Sequence, residues 1–367
     1  MPWWMTLLDF LARVALMMLG LYIIWRTMLS ATRTFVLPRS VRDSLSRWMF
    51  NQIFRLFQLR AKRVRQYSDL DRVMAMFAPT ALLALPVLWF TLVLFGFALV
   101  YLALGEPNFA DALRISGYSL MTLGYRSSDL LGRELLEFAE ALCGLILVGL
   151  LISYLPTMYS AFSRRETQVT LLDTRAGSPP SAVEMLKRAH RIRGLDALED
   201  TFKTWELWFA EVEESHTSLA ALNFFRSARP DRSWITASGA ILDSAALYMS
   251  AVHGELMPNA ALCLRAGYLA LRYIADYFMI DHNHDPRPDA PISVTREEFE
   301  DAFTELAETG LPMVADREQA WRDFSGWRVN YDTVLVALAD ITMAPYAPWS
   351  SDRGSLRAMP QNKRKQS

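Results

Sequence analysis

The sequence predicts an all-α protein in two parts: integral membrane helices, comprising three spans and one short re-entrant helix, followed by an all-helical soluble domain. Three observations predict it. Three long stretches are apolar and almost free of charge, and about 20 such residues cross a bilayer. Beyond residue 181 the chain becomes charged, its apolar residues recur at helical spacing, and it has no glycine-rich strand–turn–helix unit. With 52% apolar residues and eleven Trp among 367 residues, the composition is too apolar for a soluble protein and too polar for a wholly membrane one. A membrane half joined to a soluble half gives that average.

The first span covers residues 1–27. Asp9 and Arg13 interrupt it but lie four apart, on one helix face, where they can pair. A cleaved signal peptide is the competing reading. No basic residue precedes the apolar run and no small-x-small cleavage site follows it, so the retained helix is expected.

Residues 28–77 read as a basic, amphipathic cytoplasmic segment. Between 26 and 73 there are eleven Lys or Arg against Asp43, Asp69 and Asp71. Trp48, Phe50, Ile53, Phe54, Phe57 and Leu59 are interleaved with them. Basic and aromatic residues together also describe a nucleic-acid binder. Between two spans, a helix lying on an anionic leaflet is the better reading, and no nucleic-acid partner is expected. The positive-inside rule places this loop in the cytoplasm, hence the N-terminus outside.

Residues 73–104 are uncharged and hold the second span, at 78–104, with Pro79 at its start and Pro86 at a kink. Residues 105–133 balance Glu106, Asp111 and Asp129 against Arg114, Arg126 and Arg133, as an outside loop does. Asn108 is a candidate N-cap for a helix over 109–121. A dozen residues cover only about 18 Å, enough to enter the bilayer but not to cross it. The third span follows at 135–162 and is closed by Arg164 and Arg165. Glu134, Glu137 and Glu140 stand at its outer end, complementing the helix dipole. They read either as negative charge near an outer mouth or as a solvated helix start.

Gly177-Ser178-Pro179-Pro180 marks a linker, 166–180. Helices are expected at 181–192, 196–226, 234–253, 257–281, 295–309 and 316–341 of a cytoplasmic helical domain, 181–349, and a disordered basic tail at 350–367. Asp243 and Arg265 make the most apolar of these helices core helices and not spans. Trp205, Trp208 and Phe209 have core spacing.

The stretch between the last two spans reads Ser119-Leu120-Met121-Thr122-Leu123-Gly124-Tyr125-Arg126. The order span, short helix, Thr-Leu-Gly-Tyr, span resembles the pore module of the two-transmembrane-type potassium channels over about 80–165, making 78–165 a pore module. The resemblance implies passive conduction through a homotetramer in the cell membrane, with K⁺ or another monovalent cation as transported ion, no cofactor and no enzymatic activity. In that family backbone carbonyls replace the ion's hydration shell. Thr122 would supply a carbonyl and a hydroxyl, Leu123 would face away from the ion, Gly124 would allow the backbone conformation, and Tyr125 would brace the filter. Asp129, Glu134 and Glu137 would surround the outer mouth. Gly144 and Gly149 are candidate hinges of the inner helix, or else sites of close helix packing. The chain departs from the family at Arg126, where a second glycine is expected, and in having Ser127 and Ser128 before Asp129. The alternative function is a non-conducting, channel-derived scaffold or sensor acting through cytoplasmic protein partners.

Other chemistry is sparse. Asp281-His282-Asn283-His284-Asp285 is the densest set of potential metal ligands, with His282 and His284 as weak candidates against a merely solvated loop. His216 and His253 have no evident nucleophile partner, and no hydrolase, zinc-protease, phosphate-loop or dinucleotide motif appears. Cys143 and Cys263 suggest neither a disulfide framework nor a zinc site.

Overall fold

The computed structural model describes residues 3–35, 43–64, 66–124, 131–192, 194–254 and 257–353. These form helices with no strand among them, and an isolated β-bridge joins Val252 to Met313. Three helices are long and apolar enough to cross a membrane. The chain divides into two compact units, Met1–Leu56 with Pro79–Tyr159 and Phe57–Ala78 with Ser160–Ser367.

The first unit contains α1 (Trp3–Phe35), most of α2 (Ser44–Ala61), α4 (Phe77–Ala103), α5 (Phe109–Leu120) and the first part of α6 (Leu131–Ala176). α1 runs past residue 27 to Phe35, because Phe35 packs on Trp89 and Tyr154, with ring centroids 5.0 and 4.2 Å away. The helix lies antiparallel to α4. Ser30 Oγ accepts from Trp89 Nε1 at 3.2 Å, and a Cβ on Gly20 would stand 2.5 Å from the Gly96 carbonyl. The missing side chains at Gly20 and Gly96 therefore set how closely the two helices approach. Asp9 and Arg13 do pair, at 2.9 Å on an exposed face. Asp43 opens α2, accepting from Ser30 Oγ at 2.6 Å, the Ser46 amide at 2.8 Å and Arg26 at 3.0 Å. Burial alone would raise the Asp43 pKa, but these donors outweigh it and hold the carboxyl below its usual range. Pro86 lies inside α4 without ending it.

The second unit takes in the end of α2 and α3 (Tyr67–Ala75), so the basic segment is two helices and not one. Its other helices are the end of α6, then α7 (Ala182–Ile192), α8 (Ala197–Ser218), α9 (Trp234–Ala251), α10 (Pro258–Phe278), α11 (Arg296–Glu308), α12 (Arg317–Arg328) and α13 (Asp332–Thr342). α9 is buried along nearly its whole length, and α7, α10 and α12 pack on it. Trp205, Trp208 and Phe209 are core residues of α8.

Three further boundaries differ from expectation, each for a local reason. Residues 166–176 are helical because Arg188 donates to the carbonyls of Asp173 and Thr174, satisfying the end of α6 before Gly177 turns at φ +82°. The helix expected at 196–226 stops at Ser218 and continues as a 3₁₀ turn, Ala220–Phe224. There Asn223 Nδ2 takes the carbonyls of His216 and Ala220. The helix expected at 316–341 is broken at Val329–Tyr331, where Arg328 and Tyr331 both turn to Asp243. That fully buried carboxylate accepts from Arg328 Nη1 and, at 2.8 Å, from the Tyr331 hydroxyl. Asp243 is thus a core residue, as expected, and Arg265 is exposed.

Of the two arginines expected to close the third span, Arg165 is buried. It donates to the carbonyls of Leu222 and Phe225 at 2.8 Å each, to Glu166 at 2.8 Å and to His216 Nε2 at 3.1 Å. A second arginine, Arg226, clasps α3 to the end of α13. It donates to the Tyr67 hydroxyl and to Asp71 at 2.9 Å, and to the carbonyls of Thr342 and Met343 at 2.7 and 3.0 Å.

Candidate functional site

α5 begins where the sequence places it. Asn108 Oδ1 accepts from the Asp111 amide at 2.9 Å, and the helix buries Ala112, Ser116 and Leu120, four residues apart, on one face. That face meets α4 and α6. Ser116 Oγ reaches the Leu94 carbonyl at 2.9 Å and also touches Glu140 Oε1. The Leu120 carbonyl lies against Gly144, where any Cβ would collide with it.

These pairs fix direction. Ser116 matches Glu140 and Leu120 matches Gly144, so α5 and α6 run parallel. Ser116 lies beside Leu94, nine residues before the end of α4 at Ala103. The chain therefore leaves α4 and descends along it as α5, and α6, from Leu131, runs down beside α5 in the same direction. Gly144 is thirteen residues into α6, or about 20 Å of helix.

α5 ends in a helix cap. The Leu123 amide donates to Tyr118 O at 2.8 Å and the Thr122 amide to Ser119 O at 3.0 Å. This is the paired bonding of a Schellman ending, which puts Thr122 at φ +56°. A β-branched residue there is strained. The same ending closes α10 at Met279 and α13 at Met343, with φ +58° and +50°, so at Thr122 it reflects first how this helix stops. Gly124 is also left-handed, at φ +62°. Met121, Thr122, Leu123 and Gly124 are all exposed in the single chain. Tyr125, Arg126 and Asp129 lie outside the described residues.

Of the acidic residues, Glu134 and Glu137 are half-buried, whereas Glu140 is completely buried. Glu140 is therefore neither a solvated helix start nor an outer-mouth charge. Its Oε2 accepts from the Tyr101 hydroxyl of α4 at 2.9 Å, so one carboxyl joins α4, α5 and α6. The helical repeat carried this signal: six residues after Glu134, Glu140 has turned by about 120° around the axis. Gly144, four residues later, continues the same face. At this position a glycine is needed for close approach. Gly149 has open space where a Cβ would be, and α6 continues through both glycines. Arg133 pairs with Glu106, bridging the start of α6 to the end of α4.

In the second unit His282 and His284 come together with Asp276, a ligand the sequence reading did not single out. His216 is buried beneath Trp234, and burial together with the Arg165 guanidinium holds its pKa well below the usual histidine range. The Arg165 donor fixes Nε2 as an acceptor, leaving Nδ1–H for Ser215 Oγ at 3.1 Å. His216 is thereby a neutral packing residue.

Comparison with family models, with curated proteins and with solved structures finds no match to this chain.

Proposed function

We propose that this chain is a potassium-channel-like subunit whose homotetramer passes a monovalent cation across the cell membrane. The observation that carries the reading is the parallel packing of α5 on α6 through Ser116–Glu140 and Leu120–Gly144. It supports α5 as a re-entrant helix, with Thr122, Leu123 and Gly124 at its inner end. Non-helical backbone at such depth is tolerated where it is buried in protein or lines a water-filled path. One chain has one such loop, and a symmetric path needs several copies. The helix dipole directs partial negative charge from the end of α5 toward a cation there.

The topology supports the same reading. Residues 57–78 and 160–353 share one compact unit, which on this reading lies on one side of a bilayer. The chain between them crosses an even number of times, out through α4 and back through α6. The basic charge of 26–73 makes that side the cytoplasm, and antiparallel α1 then starts outside. Because α6 is one helix from Leu131 to Ala176, the helical domain has a direct covalent route to the inner helix. The reading assigns no covalent chemistry to the protein.

The second reading, a non-conducting scaffold or sensor descended from such a channel, is favoured by Arg126 in place of the second filter glycine. Cation flux into vesicles containing the purified protein separates the two. The channel reading expects flux that Thr122→Ala and Gly124→Val abolish. Absence of native flux, with flux appearing in Arg126→Gly, supports the second reading. Absence of flux in both the native protein and Arg126→Gly overturns the first.

A further inference from the structure

We infer that Asp276, His282 and His284 form a binding site for a divalent transition-metal ion of the Zn²⁺ type. The inference is independent of conduction. Asp276 lies in the last turn of α10, and the left-handed Met279 reverses the chain so that the following loop folds back over that turn. His282 Nε2 and His284 Nε2 come to 3.8 and 3.7 Å from Asp276 Oδ1, and all three ligand atoms lie within 4.8 Å of one another. Ligands bound to one zinc ion at about 2.0–2.2 Å stand roughly 3.3–3.5 Å apart. Two separations are therefore within a few tenths of an ångström of a coordinated set. The third closes by rotation of His284, whose side chain is 70% exposed.

The observation that singles out a ligand is His282. Its side chain is only 3% exposed, and its Nε2 is buried without a hydrogen-bond partner, facing Asp276 and His284. Its Nδ1 lies 3.0 Å from the Ile280 carbonyl. A carbonyl only accepts, so Nδ1 carries a hydrogen and Nε2 is the nitrogen left to offer a lone pair to a metal. A buried lone pair with no donor is costly, and a metal ion removes that cost. A backbone carbonyl holding the second ring nitrogen is the usual outer support of a metal-bound histidine. The loop is braced as well: Arg272 donates to the His284 carbonyl at 2.9 Å and to Asn330 O and Oδ1 at 2.8 and 3.0 Å.

Two imidazoles and one carboxylate select borderline ions such as Zn²⁺ or Co²⁺ over Mg²⁺ and Ca²⁺, which take oxygen ligands. Three protein ligands leave a fourth position for water on the exposed side. A bound ion would pin the 280–285 loop to α10 and, through Arg272 and Asn330, to the junction of α12 and α13.

Titration of the full-length protein in detergent with Co²⁺, followed by its visible absorption and by Zn²⁺ competition, tests the site. One saturable site per chain is expected, insensitive to excess Mg²⁺. His284→Ala alters an exposed side chain and Asp276→Asn a half-exposed one, so both variants fold. Each should weaken binding by more than about tenfold, since even outer-shell losses cost that much. His190→Ala, on α7, should leave binding unchanged. No saturable binding, or binding that His284→Ala and Asp276→Asn leave intact, overturns the proposal.

Discussion

The Tyr101 hydroxyl donates to Glu140 at 2.9 Å in a fully buried setting, and the same carboxyl touches Ser116, so α4, α5 and α6 meet at one side chain. Glu140→Ala should leave the buried Tyr101 hydroxyl without this acceptor, at about 1–3 kcal/mol, while Ser116 keeps the Leu94 carbonyl. Glu140→Gln keeps an acceptor for Tyr101 and offers Ser116 an amide donor, freeing the Ser116 hydrogen for the Leu94 carbonyl. Thermal unfolding in detergent should rank native and Gln close together and Ala clearly lower. Equal loss in both variants would mean that the carboxylate form itself is required.

The two glycines of α6 should respond differently. A methyl at Gly144 meets the Leu120 backbone, so Gly144→Ala is expected to cost about 1–3 kcal/mol by overpacking. Gly149 faces open space, and Gly149→Ala should stabilise the helix by roughly 0.5–1 kcal/mol. A fall in flux with preserved stability in Gly149→Ala would restore that glycine as a hinge.

His216 makes the second unit acid-sensitive. Its folded pKa lies below its unfolded value of about 6.5. Above that pH both states are neutral and no stability depends on the residue. As pH falls through it, the unfolded chain binds a proton that the folded one refuses. Stability should then drop by up to about 1.4 kcal/mol per pH unit until the folded pKa is reached. Chemical denaturation between pH 7.5 and 5 should show this slope, and His216→Gln should flatten it.

Arg328 is fully buried between Asp243 and Asp332. Arg328→Met would strand two carboxylates and should cost about 3–5 kcal/mol. The double variant with Asp243→Asn should recover part of that, because one stranded charge is gone. Additive losses in a double-mutant cycle would refute the coupling.

The architecture was legible in the sequence where it depends on periodicity and local caps. The apolar runs, the Asn108 cap, the Asp9–Arg13 pair and the core role of Asp243 follow from spacing alone. What escaped depends on long-range partners. Arg165 and Glu140 look like helix-end charges until Leu222, Phe225, Tyr101 and Ser116 are brought to them. Asp276 looks unrelated to His282 until Met279 turns the chain. Thr122 has no sequence mark of left-handed backbone, because glycine is the usual residue at such a helix ending. Tyr125 and Arg126, central to the expected filter, are beyond what the described residues inform.

The Arg226 clasp also constrains the order in which the protein can be made. Asp71 and Tyr67 leave the ribosome early, yet their arginine lies 155 residues beyond Asp71, and the carbonyl partners at Thr342 and Met343 come later still. At about 5–20 residues per second, α3 waits tens of seconds for its clasp, while the helices encoded in between are delivered to the membrane. During that interval α3, whose Leu70 and Met74 end fully buried, lacks its arginine clasp. Premature termination before residue 226 would leave Tyr67 and Asp71 without their arginine.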